Sequence, residues 1–93
     1  MSKVSNLKNL SQTHSVWIAE NPLRLWRLSR SNKIAQAMVG NCINRSTQAI
    51  RAYESGGYKP DDTAMDSLAS LIGITGNTLR RKWDKWLMTK PSF

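Results

Sequence analysis

The 93-residue sequence is poor in the residues that cross-link small domains or carry catalysis. Its single cysteine, Cys42, excludes an internal disulfide and fits a reducing compartment. Its single histidine, His14, has no cysteine or carboxylate at ligand spacing, so we expect it to pack or face solvent. No Ser–His–Asp set, phosphate-cradling glycine loop or catalytic carboxylate pair stands out. The sequence therefore predicts no cofactor, no metal and no enzymatic activity.

Long apolar runs are also missing. No stretch is long and apolar enough to span a bilayer, and MSKVSNLKNLSQ at the N-terminus lacks the apolar core of a signal peptide. The basic residues are spread over several segments instead of lying on one strongly amphipathic helix, which disfavours a membrane-surface role. We therefore expect a cytoplasmic protein with no membrane partner.

Acidic residues are scarce as well. Six Asp and Glu stand against fourteen Lys and Arg, which gives a net charge of +8 and a pI near 10.3. Such an excess on a small domain favours a polyanionic partner: DNA, RNA or an acidic membrane surface. A role in solubility alone is the alternative, and the placement of the charges makes it less favoured.

Apolar spacing predicts an all-α fold of five to six short helices, without β-alternation or internal repeats. We expect an N-terminal extension over 1–20, one domain over 21–90 and a tail over 91–93. The predicted helices run from about 5 or 13 to 20, from 22 to 29, from 33 to 39 or 40, from 46 to 54, from Asp61 or Asp62 to a stop at Gly73, and from Thr75 or Asn77 to Pro91.

The segment 36–56 carries the strongest functional signal. Asn44 tolerates the left-handed geometry of a turn, and Ser46 can cap the helix that follows. With Ile50 facing inward, Tyr53 and Glu54 flank it on the buried side. The opposite face then carries groups suited to base edges and phosphates: Arg45, Gln48, Arg51, Ala52 and Ser55. An ordinary solvent-facing helix is the alternative, which the short link, the preceding helix and the basic surplus disfavour.

This segment resembles the helix-turn-helix of the phage repressor and Cro family, also called XRE-type regulators. The matching positions are Gln36, Val39, Gly40, Asn44, Ile50, Tyr53, Glu54 and Gly56, followed by Lys59, Pro60 and LASLIGI at 68–74. The resemblance covers about residues 22–80 and implies a lambda-repressor-like domain with an extended C-terminal helix. The chain differs in having Asn44 where the family usually has Gly, Gly40 where it has Ala, and Arg45 where it has an aliphatic residue.

The helix face and the resemblance together assign roles to individual residues. Base readout is expected from Ser46, Thr47, Gln48, Arg51 and Ala52. Phosphate contacts are expected from Lys33, Gln36, Arg45, Ser55 and Lys59. The resemblance also implies a structural ion pair between Glu54 and an arginine of the first domain helix, Arg27, with Arg30 as the alternative.

The C-terminal segment RRKWDKW places two tryptophans on one helical stripe with Leu79, namely Trp83 and Trp86. The favoured interpretation is a packing or dimer stripe, because the neighbouring cations lie off it. The alternative is base stacking on single-stranded nucleic acid, helped by those cations.

These observations lead to one main functional hypothesis. The protein is expected to be a sequence-specific, double-stranded-DNA-binding transcriptional regulator. It would be a small phage-, prophage- or plasmid-type repressor that binds operator half-sites as a homodimer on the nucleoid of a bacterial or phage-infected cell. One alternative is an antitoxin-like DNA-binding protein with a protein partner on the C-terminal helix, which would leave the tryptophan stripe exposed. Another is a non-specific nucleic-acid binder without sequence preference.

Overall fold

Six helices and no strand make up the regular structure of residues 14–29 and 33–91, the part of the chain that this computed structural model describes. In chain order the helices are α1 (14–19), α2 (Pro22–Ser29), α3 (Gln36–Ile43), α4 (Thr47–Ser55), α5 (Asp62–Ile72) and α6 (Gly76–Met88). The predicted all-α class is confirmed. The helix start expected near residue 5 and Arg30, the alternative partner of Glu54, lie outside the described residues.

Side-chain caps define where four of the helices begin. The Oδ1 atom of Asn21 accepts hydrogen bonds from the backbone N–H groups of Leu23 and Arg24, both at 3.0 Å. The helices α4, α5 and α6 are capped in a similar way, by side-chain oxygens that accept from backbone N–H groups and belong to Ser46, Asp61 and Thr75. Short polar side chains favour these positions because they satisfy N–H groups that have no partner inside the helix.

The start of α3 differs from the prediction. The helix begins at Gln36, not near Lys33, because Ala35 is extended with φ −73° and ψ 151°. The N–H group of Ile34 instead donates to the carbonyl oxygen of Arg27 at 3.3 Å. A contact with α2 therefore holds this segment outside the helix.

The end of α3 also lies further along the chain than predicted. The helix was predicted to end at residue 39 or 40, yet α3 continues to Ile43 and ends at Asn44, which has the left-handed φ of 59°. A Cβ atom at Gly40 would lie 2.5 Å from the carbonyl oxygen of Arg45. Glycine at position 40 thus allows the turn to fold back closely on α3.

The core lies where the helices meet. α3 packs against α4 and α5, while α6 packs against α5 and α2. The buried apolar side chains are Trp17, Leu23, Val39, Ile43, Ile50, Tyr53, Ala64, Met65, Leu68, Ala69, Leu79, Trp83 and Trp86. Every described helix contributes to this set, so residues 14–19 pack as part of the domain.

Trp17 and Trp86 join α1 to α6. Their rings are stacked with centroids 4.1 Å apart and an interplanar angle of 3°. The Nε1 of Trp17 donates to the carbonyl oxygen of Trp86 at 2.7 Å, and the Nε1 of Trp86 donates to that of Trp17 at 2.6 Å. Gly56, at the end of α4, packs against both rings, since a Cβ atom there would lie 2.5 Å from Trp17 and 3.3 Å from Trp86.

Candidate nucleic-acid interface

The helix pair α3–α4 presents one face of α4 to solvent. Its inner face is buried: Ile50, Tyr53 and Glu54 are at most 2% exposed, as the sequence predicted. On the outer face Gln48, Arg51 and Ser55 are exposed, while Thr47 and Ala52 are half-buried. The side chains that are expected to read bases therefore lie on the solvent-facing side of α4.

The two serines of this region are already engaged with the backbone. The Oγ of Ser46 accepts from the N–H of Ala49 at 3.1 Å, which leaves its hydroxyl hydrogen free to donate outward. The Oγ of Ser55 donates to the carbonyl oxygen of Ala52 at 3.2 Å. Ser46 can thus donate to DNA as it stands, whereas Ser55 must first rotate its hydroxyl.

A buried ion pair anchors α4 to α2. The Nε and Nη2 of Arg27 donate to the two carboxylate oxygens of Glu54 at 2.8 and 2.7 Å. The Nη1 of Arg27 donates to the carbonyl oxygen of Ile34 at 3.0 Å, so the guanidinium also fixes the approach to α3. The pair expected from the family resemblance is present, and it uses Arg27. Sequence reasoning missed Arg24, whose Nη1 lies 3.8 Å from the same carboxylate.

Gln36 connects this ion pair to the surface. Its Nε2 donates to the Oε1 of Glu54 at 3.1 Å. Its Oε1 accepts from the Nε of Arg51 at 3.4 Å. Two residues expected to contact DNA, Gln36 and Arg51, therefore touch each other, and no sequence pattern indicated this contact.

The expected phosphate-binding cations lie in two different settings. Lys33 is exposed, three residues before the start of α3. The Nη2 of Arg45 lies 3.3 Å from Asp61, and the Nζ of Lys59 lies 2.7 Å from Asp84. These carboxylates come from later elements, so their proximity was not readable from the chain. A phosphate group would have to compete with them.

Asp61 combines its cap with the Arg45 contact. Its Oδ1 accepts from the N–H of Ala64 at 2.8 Å. This hydrogen bond, and after it the positive charge of Arg45, holds the pKa of the Asp61 carboxyl below its usual range. Both interactions favour the charged carboxylate, which ties the turn before α4 to the start of α5.

The C-terminal tryptophan stripe faces the protein's own core. Leu79 and Trp83 are fully buried and Trp86 is 5% exposed. The packing interpretation is therefore correct. Because α1, α2 and α5 pack against the stripe, Trp83 and Trp86 have almost no exposed surface for base stacking or for a partner. Cys42, the single cysteine, is exposed on α3.

An apolar groove of about 500 Å³ runs between α2, the end of α5 and α6. Leu25, 53% exposed, lies in its lining together with Pro22, Trp26, Ile72 and Ile74. The lining also includes charged side chains of both signs, Glu20, Lys82 and Lys85, and three further residues of α6 or its end, Leu79, Trp86 and Thr89. The groove joins an apolar surface to groups that can form ion pairs.

Searches against protein-family models, curated proteins and solved structures find no match to this chain. Within residues 14–29 and 33–91, none of the helices has the length and apolarity needed to cross a bilayer. The same residues contain no group of three His, Cys, Asp or Glu side chains placed to hold a metal ion. Interpretation of function therefore depends on the geometry of the α3–α4 surface.

Proposed function

We propose that the protein is a sequence-specific, double-stranded-DNA-binding transcriptional regulator of the small phage, prophage or plasmid repressor type. The observation that carries the proposal is that α4 has one buried face and one exposed face. Its inner face is locked by Ile50 and the Arg27–Glu54 pair, while its outer face holds exposed hydrogen-bonding side chains directly after a three-residue turn. Such a helix can enter the major groove and keep its orientation.

The outer face of α4 matches the chemistry of base edges. The Arg51 guanidinium can donate to O6 and N7 of guanine, and the Gln48 amide suits N6 and N7 of adenine. The methyl group of Ala52 can contact the methyl group of thymine. Ser46 and Thr47 lie at the start of the helix, the end that comes closest to the bases in this binding mode.

Phosphate binding would provide most of the sequence-independent affinity. The net charge of +8 favours association with a polyanion. Lys33 precedes the helix pair, Arg45 lies in its turn and Lys59 follows it. The free N–H groups at the start of α4 add partial positive charge for a phosphate. A protein held on an operator in this way represses transcription by occluding polymerase.

A homodimer would read two half-sites about one helical turn apart. Because the tryptophan rings are buried, we assign the dimer contact to the groove beside α2, where Leu79 and Trp86 form part of the lining. A twofold interface must be complementary to itself. The groove meets that condition, since Glu20 of one copy can face Lys82 or Lys85 of the other around an apolar floor.

Selection of preferred sites from a random double-stranded DNA pool at about physiological salt tests the proposal. The expected result is an enriched, roughly palindromic motif. Gln48→Ala and Arg51→Ala should each lose about 1–3 kcal/mol on that site and relax preference at one base pair. Tight, salt-sensitive binding without any enriched motif would instead support the non-specific alternative.

A further inference from the structure

We infer that Gln36 is a positioning residue that orients Arg51 for guanine readout. The inference rests on the proposed function and deepens it, since it assigns specificity at one base pair to a side chain that does not itself touch the base. Its basis is the chain of contacts from Arg27 through Glu54 and Gln36 to Arg51.

The chemistry of Glu54 and Arg51, the two partners of Gln36, permits only one orientation of the Gln36 amide. An ionised carboxylate accepts hydrogen bonds, and a guanidinium only donates them. A group that bridges Glu54 and Arg51 must therefore donate on one side and accept on the other. The amide does so with Nε2 toward Glu54 and Oε1 toward Arg51, and a flipped amide would set donor against donor and acceptor against acceptor.

The inner end of this chain of contacts is fixed. Glu54 is 2% exposed and Arg27 is 7% exposed, and two charge-assisted hydrogen bonds join them. Bidentate arginine–carboxylate pairs have little geometric freedom. The carboxylate oxygen that receives Gln36 is consequently held in place, and the amide passes that constraint from the core to the exposed Arg51.

The contact with Gln36 also selects how Arg51 can meet a base. Gln36 engages the Nε of Arg51, which leaves the two terminal Nη groups available to donate to another partner. Those two groups can donate together to O6 and N7 of one guanine. Without Gln36, the long arginine side chain would regain rotamers that present other edges, and discrimination between bases would fall.

The experiment measures DNA affinity for four proteins: wild type, Gln36→Met, Arg51→Ala and the double variant. Each protein is tested on the selected site and on a set of sites in which every base pair is changed in turn to each of the other three. The base pair at which Arg51→Ala loses preference identifies the Arg51 position. Gln36→Met should reduce the guanine preference there by roughly tenfold and leave preferences at other pairs nearly unchanged. In the Arg51→Ala background, Gln36→Met should have no further effect on that preference.

Gln48→Met is the matched control, because it removes an exposed glutamine amide from the same surface. It should change preference at a different base pair, and its effect should persist in the Arg51→Ala background. Preferences are ratios measured on one protein preparation, so a partly unfolded variant does not alter them. Gln36→Ala provides a second variant with the same expected ratio.

A loss of affinity that is equal for all sequences, or that persists without Arg51, would show that Gln36 acts as a phosphate contact and would overturn the inference while leaving the proposed function standing. A wild-type protein with no preference at any base pair would overturn both.

Discussion

Trp17 and Trp86 exchange hydrogen bonds, each indole N–H donating to the backbone carbonyl of the other across parallel rings 4.1 Å apart. The two residues are buried, and they hold the first described helix against the last. Displacing either ring breaks the hydrogen bond that this ring donates and also removes the stacking partner of the other ring. It explains why the C-terminal tryptophan stripe is a structural element of the single chain.

Trp17→Phe and Trp86→Phe should each destabilise the protein more than Trp83→Phe does. All three replacements remove similar volume from the core, but the Nε1 of Trp83 makes no hydrogen bond within the described residues. The difference should be at least about 1 kcal/mol, the net contribution of one buried hydrogen bond. Urea unfolding of the three variants measures it. Equal losses for all three would mean that the exchanged bonds add nothing.

Arg27→Met should lower the free energy of unfolding by about 3–5 kcal/mol, because it leaves the buried Glu54 carboxylate without its main partner. Arg80→Met is the matched control. Arg80 pairs with Asp62 and Asp66, whose side chains are 93% and 62% exposed, so its loss should cost at most about 1 kcal/mol. Chemical denaturation gives both values, and similar costs would contradict the structural role of the buried pair.

Asp61 should make stability fall in acid. Its folded-state pKa lies below the usual value, chiefly through the Ala64 N–H bond. Its contribution is therefore fully present above the unfolded pKa of about 4 and is lost as pH falls through the lower folded value. Asp61→Asn keeps a capping oxygen but removes the titration. The free energy of unfolding, measured by denaturation at several pH values in this range, should depend less on pH in the variant than in the wild type. Identical pH dependence in the two proteins would refute the assignment.

Lys59→Ala should weaken binding to all DNA sequences alike and reduce the salt slope of the binding constant by about one. Asp84→Asn is the informative counterpart, because it frees the Lys59 ammonium from a carboxylate 2.7 Å away. It should tighten binding without changing base preference. Titrations at several salt concentrations measure both effects. An unchanged slope for Lys59→Ala would reject the phosphate contact.

Leu25→Asp should convert the proposed dimer to a monomer by placing a charge on the apolar floor of the groove. Sedimentation at micromolar concentration, with and without operator DNA, measures the mass. Met88→Asp is a matched control, since Met88 is 85% exposed and does not line the groove. A wild-type protein that is monomeric in both conditions would contradict the dimer.

Local signals in the sequence were sufficient for most helix starts and for the inner face of α4. Asn21, Ser46 and Asp61 act on N–H groups two or three residues away, so their capping role is visible in the chain. The buried position of Ile50 follows from helical spacing alone. The Arg27–Glu54 pair was expected only because of the family resemblance.

Contacts between distant segments could not be predicted in the same way. The predicted end of α3 at residue 39 or 40 was too early, since the contact of Gly40 with the carbonyl of Arg45 exists only once the turn has formed. The contacts between Gln36 and Arg51 and between Lys59 and Asp84 depend on how the helices lie against each other. The spacing of apolar and polar residues indicates which face of a single helix is buried, but it does not indicate how two helices are oriented relative to each other.

The tryptophan contact also sets when the α4 surface, for which we propose DNA binding, can take its final form. Trp17 and Trp86 are 69 positions apart, so a chain still being synthesised cannot join them until residue 86 has left the ribosome. Contacts of such long sequence separation form against a large loop-closure entropy. Gly56, at the end of α4, packs on both rings. We therefore expect the end of α4 to reach its final packing only after residue 86 is available to fold, although α4 itself ends at Ser55, much earlier in the chain.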